Sequence, residues 1–331
     1  MRRGDRPACA VPIDTAKQRK TLLTAPSAKF ASTSRPVVAP SSGSTPAALP
    51  FAFEERPPPI TDKEFDFIRR LAMTHAGIAL ADYKRNMVYR RVTKRLRALN
   101  LDRVADYCHL LADPSNAAEI AELINALTTN KTSFFREGHH FEHFAQVALP
   151  KIVDRAALDH NRRLRVWSAG CSSGQEPYSL GMTLLDNAQK IPGWDVRILA
   201  TDIDTDILAK AQAGVYARDD MKSVSPAFMR AFVESGAGEP EHHRISDRVR
   251  AHVVFKQLNL HEPWPMRGPF DAIFCRNVVI YFDKPTQCAL FNRFADILRD
   301  GSFLYLGHSE SLYKVSDRFR PIGQSIYQKT K

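Results

Sequence analysis

The sequence predicts an α/β protein, with a doubly wound domain on a parallel sheet preceded by a small all-helical unit. Three observations carry that prediction. From Leu164 onward, apolar β-rich runs alternate with helical patterns, the texture of a parallel sheet covered on both faces. Upstream, between residues 59 and 128, apolar residues recur at helical spacing. With 331 residues, 44% of them apolar, the chain can bury one sizeable core plus a smaller one, which excludes disorder throughout.

Residues 1–58 are basic, rich in Pro, Ser, Thr and Ala, and run into Pro57-Pro58-Pro59 without a sustained apolar period. Too little apolar surface is available there to offset ordering the backbone, so a disordered tail is expected. Order begins at Ile60, where Thr61 or Asp62 can cap a helix carrying Phe65, Ile68 and Leu71 on one face, with Gly77 ending it. A second helix is expected from Tyr83 to Leu99. Its buried stripe is Val88, Val92, Leu96 and Leu99, and Arg90, Lys94 and Arg97 cluster on the opposite side. Helical segments at Val104–Ala112 and Ala117–Thr128 complete the unit.

In the second domain, strands are expected at Leu164–Ser168, Val196–Thr201, His252–Gln257, Phe270–Cys275 and Phe303–Leu306. The segment between the second and third of these is longer than a crossover requires. A small subdomain is therefore expected there, with short strands around Arg244 to Val249.

Polar residues at the carboxyl ends of these strands carry the chemistry, because open α/β sheets bind ligands at that edge. Trp167 to Tyr178 reads as strand, glycine turn and helix, with Gly170-x-x-x-Gly174 in the turn. This spacing is neither the dinucleotide GxGxxG nor a phosphate-cradling GxxxxGK[ST]. At the tip of the second strand Asp202 is placed to accept both hydroxyls of a ribose, while Asp204 caps the following helix. Asn259, Arg276 and Asn277 emerge from neighbouring strand ends toward the same crevice. Arg276 also fits a purely structural role as a paired arginine.

Other chemistries are disfavoured. The five cysteines (Cys9, Cys108, Cys171, Cys275, Cys288) form no CxxC pair, which argues for reduced thiols and against a structural zinc. His139-His140-x-x-His143 and His242-His243 lack the HExxH arrangement, so no metal is expected, and His140 is expected to pack or to be solvated. No run of about 18 apolar residues and no leader-like h-region is present, so no membrane insertion is expected and a cytoplasmic location is. The formal net charge of +11 suggests an acidic partner and leaves nucleic acid, anionic lipid and an acidic protein helix all open.

Four separated stretches, in order, are Thr129–Glu137, Trp167–Tyr178, Ala200–Asp204 and Cys275–Phe282. Together they resemble the CheR-type chemotaxis receptor methyltransferases, which form glutamate methyl esters with S-adenosylmethionine. The resemblance covers residues 60–331. It implies a helical N-terminal domain at 59–128 that docks receptor helices and a linker at 129–145 that contributes to the cofactor site. It implies next a Rossmann-like S-adenosylmethionine methyltransferase domain at 146–331, with a β-subdomain inserted near 218–250.

By the same resemblance Asn130, Thr132, Arg136, Gly170, Glu176, Asp202, Asn259, Leu260, Arg276 and Asn277 hold S-adenosylmethionine, with S-adenosylhomocysteine as product. Arg136 and Tyr281 match the positions nearest the methyl transfer, Arg136 expected on the cofactor's carboxylate and Tyr281 on the substrate side. The partners implied are the cytoplasmic methylation helices of chemoreceptors, docked on Arg90, Lys94 and Arg97. One subgroup of the family also grips a receptor C-terminal peptide with the β-subdomain, and here Val233–His243 departs from that subgroup's glycine spacing.

Two other readings compete. A nucleic-acid methyltransferase would suit the positive charge, but no aromatic-interleaved basic stretch or RRM-type motif is present, and Arg276-Asn277-Val278-Val279 stands where amino-group methylating enzymes carry Asn/Asp-Pro-Pro-Tyr/Phe. No nucleic-acid partner is therefore expected. A non-catalytic CheR-like binding module is countered by the presence of Arg136, Glu176, Asp202, Asn277 and Tyr281.

Overall fold

The computed structural model describes residues 59–236 and 241–330. The tail read from residues 1–58 lies outside them, as does part of Val233–His243.

The helical unit is built from α1 (Asp62–Ala76), α2 (Arg85–Ala98), α3 (Val104–Ala112) and α4 (Ala117–Leu127). Thr61, not Asp62, caps α1: the Glu64 amide donates to Thr61 Oγ1 and the Thr61 amide donates to Glu64 Oε2 at 2.7 Å, a reciprocal box that satisfies two orphan donors. Gly77 ends α1 at a left-handed φ of 67°. The buried face runs through Phe65, Ile68, Ala72 and Ala76, leaving Leu71 at its margin. α2 starts later than its apolar stripe suggests, because Asp82–Lys84 forms a tighter 3-10 turn. Val88, Val92 and Leu96 are fully buried, and Arg90, Lys94 and Arg97 are exposed on the other side.

The unit's interior also holds a polar cluster. Glu119 of α4 accepts from Arg95 Nε at 2.9 Å, Arg95 Nη2 at 2.7 Å and the Tyr107 hydroxyl at 2.7 Å. The forked guanidinium fixes α2 against α4, and the phenol adds α3.

Two short helical stretches, α5 (His139–His143) and α6 (Leu149–Asp159), flank a π-turn at Phe144–Ala148 and lead into the sheet. The α/β domain then contains β1 (Arg163–Ala169), α7 (Gln175–Asp186), β2 (Asp195–Asp202), α8 (Thr205–Ala213), β3 (Val215–Ala217), α9 (Pro226–Phe232), β4 (Val233–Ser235) and β5 (His242–Ile245). It closes with α10 (Asp247–Arg250), β6 (Val253–Gln257), β7 (Phe270–Cys275), α11 (Lys284–Ile297), β8 (Leu298–Leu306), β9 (Phe319–Gly323) and β10 (Ile326–Lys329). The main sheet runs β6-β2-β1-β7-β8-β10-β9, its first five strands parallel and the last two antiparallel. All five expected strands form. The β9–β10 hairpin lies beyond the expected strands, because β9 is largely exposed and contains Pro321, which suits an edge strand and weakens the strand pattern.

Between α8 and β6 a separate antiparallel sheet of order β3-β5-β4 forms. The expected strands around Arg244 to Val249 need correction: Arg244 and Ile245 are extended, but Asp247–Arg250 turns into α10. That turn places Val249, fully buried, against Gly181 of α7, where an added Cβ would come within 2.8 Å of Val249 Cγ1. Among the cysteines Cys108, Cys171 and Cys275 are free thiols.

Replacing Glu119 with alanine would leave the Arg95 guanidinium largely buried and without its forked partner. We expect Glu119→Ala to lower stability by about 2–3 kcal/mol, read as a lower urea midpoint, while Glu122→Ala, at the exposed edge of the same cluster, loses under about 1 kcal/mol.

Candidate active site

A cleft opens at the carboxyl ends of β1, β2, β6 and β7, beside the point where strand order reverses between β1 and β7. Its floor is the turn after β1. The amides of Gly170 and Cys171 both donate to the Thr201 carbonyl of β2, at 2.8 and 2.9 Å. Gly170 has φ +80°, and a Cβ there would lie 2.3 Å from Val278 Cγ2, so only glycine lets the two loops close. The Tyr216 hydroxyl of β3 donates to the Ser173 carbonyl at 2.6 Å, tying the small sheet to the same turn.

Two acids at the tip of β2 divide their work. Asp202, buried, accepts from the Ser172 amide at 2.7 Å and the Asp204 amide at 3.1 Å. Burial pushes its carboxyl above the usual value, against the pull of those amides. Asp204 caps α8 through Oδ1, as expected, accepting from the Asp206 and Ile207 amides. Its Oδ2 accepts from Asn130 Nδ2 at 2.7 Å and Thr128 Oγ1 at 2.9 Å. The Asn130 carbonyl in turn accepts from Ser172 Oγ at 3.0 Å, so the segment after α4 is laced onto the glycine turn.

The far wall is a buried charge chain. Glu176, in the first turn of α7, accepts from Ser168 Oγ at 2.7 Å and Arg276 Nη1 at 3.1 Å. Burial raises its carboxyl and the Arg276 guanidinium works against that rise. Arg276 also donates to the Arg136 carbonyl and lies 3.4 Å from Glu137 Oε2. It is thus both a paired arginine and part of the cleft lining. Glu137 reaches His308 Nδ1 at 3.2 Å. His140 is fully buried, its Nε2 2.9 Å from the Gln324 carbonyl.

Asn130, Thr132, Arg136, Gly170, Glu176, Asp202, Asn259, Leu260, Arg276, Asn277 and Tyr281 all line this one cleft. Arg90, Lys94 and Arg97 do not. Asn259 spends its amide on the His75 carbonyl of α1 at 2.6 Å and on Glu262, and the Ala79 amide donates to the Tyr281 carbonyl at 2.8 Å. Through these bonds, with Ala76 and Ile78 in the lining, the helical unit closes one side of the cleft.

Sequence reasoning missed Glu310. Buried beyond β8, its carboxylate accepts from the amides of Gly307 at 2.6 Å, Asn277 at 2.8 Å and Ile280 at 3.2 Å, and so fixes the loop that carries Asn277 and Tyr281. An acid soon after a glycine at a strand end was the available signal.

Bare backbone at Gly170, a buried carboxylate at Asp202 and a half-buried Arg136 near the opening suit a ligand with a ribose and a free carboxylate. The fold and cleft therefore define an α/β enzyme that binds a nucleoside-type cofactor. Residues 63–128 match the family described as CheR methyltransferase, all-alpha domain, and residues 130–328 match CheR methyltransferase, SAM binding domain. The "Probable chemotaxis protein methyltransferase" of Rhizobium etli is 44% identical over 257 residues, 77% of this chain and 95% of that relative. The "Chemotaxis protein methyltransferase" of Salmonella typhimurium is 42% identical and that of Escherichia coli 41%, each over 82% of this chain and 92% of the relative. The chain belongs to the CheR methyltransferase family, and S-adenosylmethionine is its cofactor. Among the described residues no helix is long and apolar enough to cross a membrane.

Gly170→Ala tests the closeness of the two loops. The positive φ and the clash with Val278 together are expected to lower stability by about 2–3 kcal/mol and to weaken S-adenosylmethionine binding in calorimetry. Adding Val278→Ala should recover only part, since the φ penalty of about 1 kcal/mol or more persists.

Proposed function

We propose that this methyltransferase esterifies glutamate side chains on the cytoplasmic methylation helices of chemotaxis receptors, acting in the cytoplasm. The observation that carries this reading is the position of Tyr281. Its side chain lines the cofactor cleft, its backbone is bonded to the helical unit, and the Lys84 ammonium lies 5.3 Å from its ring. A carboxylate approaching Tyr281 therefore meets positive charge from the start of α2, with Arg90 and Lys94 further along the same helix.

S-adenosylmethionine, when bound, supplies an electrophilic methyl group on a sulfonium. The protein's residues are assigned the remaining tasks. Asp202 accepts the ribose hydroxyls and Arg136 pairs with the amino-acid carboxylate. Glu176, Arg276 and Asn277 complete the cofactor's surroundings, together with Asn130, Thr132, Asn259 and Leu260. A glutamate nucleophile, with an ordinary pKa of about 4.3, is ionised near neutral pH and needs no general base. The buried His140 is thus free to be structural. Tyr281 orients that carboxylate, and the half-closed cleft limits water beside it. An Arg136 that gripped the glutamate instead would stabilise the ground state and slow transfer, which favours the cofactor role.

Incubation with radiolabelled S-adenosylmethionine and membranes bearing chemoreceptors should give label that alkali releases as volatile methanol. Cofactor binding without such label, on several receptors, would turn the reading to a binding module. Within the site the roles separate: Arg136→Ala should weaken S-adenosylmethionine binding about tenfold or more, whereas Tyr281→Phe should leave it within about twofold and lower turnover about tenfold. Normal binding and normal methylation in both variants would defeat the assignment.

A further inference from the structure

Arg136 lies between two residues whose backbones are left-handed. Phe135 has φ +49° and Glu137 has φ +54°, a conformation that bulky side chains seldom adopt and that persists only where surrounding contacts impose it. Upstream those contacts are packing and one hydrogen bond. Phe134 is fully buried edge-on to Tyr216, the Phe135 ring packs on Phe141 and Phe228, and the Phe135 amide donates to Ser179 Oγ of α7 at 3.0 Å. Downstream the restraint is a charge. Glu137 Oε2, buried and without a hydrogen-bond donor, lies 3.4 Å from Arg276 Nη2. Its Oε1 stands 3.2 Å from His308 Nδ1, in the loop after β8. His140 Nδ1 is 3.5 Å from the same Oε2, but His140 Nε2 faces the Gln324 carbonyl, which can only accept, so the neutral ring has no proton left for Glu137. Burial works to raise the Glu137 carboxyl, and Arg276, followed by His308, outweighs it and holds the group below its usual value.

We propose that Glu137 is a positioning residue for Arg136: its carboxylate, drawn to Arg276 and His308, keeps the turn left-handed and so sets the direction in which the Arg136 guanidinium points. The proposal rests on the reading of Arg136 as the partner of the cofactor's carboxylate. Chain connectivity brings Arg136 to the cleft, and the turn decides its aim. Arg276 serves that turn twice, because it pairs with Glu137 and also donates to the Arg136 carbonyl. Glu176 holds the same guanidinium at 3.1 Å. The acid of α7, the arginine after β7 and the acid of the turn therefore form one chain that ends on the backbone of Arg136. Without the Glu137 carboxylate the positive φ loses its ionic restraint and the turn relaxes. Arg136, whose Nη1 donates to the Lys131 carbonyl at 3.1 Å, then points elsewhere while the buried aromatic rings upstream keep the fold.

Calorimetry on the full chain reads this without methyl transfer, using S-adenosylhomocysteine and 5′-methylthioadenosine, which keeps the nucleoside and lacks the amino-acid end. Glu137→Gln is expected to weaken S-adenosylhomocysteine about three- to tenfold and to leave methylthioadenosine within about twofold. Glu137→Gly, which accepts the positive φ freely, should show the same selective loss. Because Glu137 acts through Arg136, the double variant Arg136→Ala/Glu137→Gln should bind S-adenosylhomocysteine within about twofold of Arg136→Ala alone. Unchanged affinity in either Glu137 variant overturns the proposal, as do losses that add in the double variant. So does equal weakening of both ligands by Glu137→Gln beside a selective loss in Arg136→Ala, the pattern of a merely structural acid. If Arg136→Ala itself weakens both ligands alike, the carboxylate role of Arg136 falls, and the double variant still decides the positioning: no further loss upholds it and additive loss removes it.

Discussion

Two carboxylates at the tip of β2 hold three segments of the chain in register, and the cleft exists because they do. Asp202 collects the amides of Ser172 and Asp204, while Asp204 collects the first amides of α8 together with Asn130 and Thr128. Hydrogen bonds to charged acceptors contribute about 1.5–3 kcal/mol each, so the tip of one strand anchors the glycine turn, a helix and the segment arriving from the helical unit. With those three fixed, the positions of Gly170, Thr132 and Arg136 follow from chain connectivity.

Around this anchor the site keeps charges that a stability-optimised interior would not. Glu176 and Arg276 are both buried, and a buried ion pair seldom repays its desolvation against an apolar replacement. Their pairing prevents an unpaired charge in the cleft wall, and Arg276 extends the restraint to the Arg136 carbonyl and to Glu137. Glu310 does the equivalent on the opposite loop with backbone donors alone. The two loops that flank the cleft are thus held by acids from different parts of the chain.

What the sequence disclosed, and what it concealed, divides by range of interaction. The stripe Val88, Val92, Leu96 and the strands of the parallel sheet are local patterns with a fixed period, and all could be read. So could the Asp204 cap, which acts two and three residues away. The cleft residues were legible because polar side chains stood where strand ends should be apolar, and because four stretches matched a family. Glu119 was not, and Glu310 and Glu137 were only in part, since each also acts on groups that folding alone brings near, such as Arg95 for Glu119 and Asn277 for Glu310. α10 falls where strands are expected: Asp247–Arg250 forms a short helix instead, and Val249 on it is buried over Gly181, a contact that no local pattern discloses.

Around the cleft, carboxylates lie deep and the cations of α2 lie outside. A chain with a net charge of +11 keeps Asp202, Asp204, Glu176 and Glu310 buried around one cleft, while Arg90 and Lys94 stand in solvent. The outer cations act across a screening length of about 8–10 Å, and the inner anions act over contact distances where mobile ions do not enter. A cation inside the cleft therefore answers to Asp202 at contact distance, while the exposed cations set the field that reaches beyond the surface, and neither cancels the other.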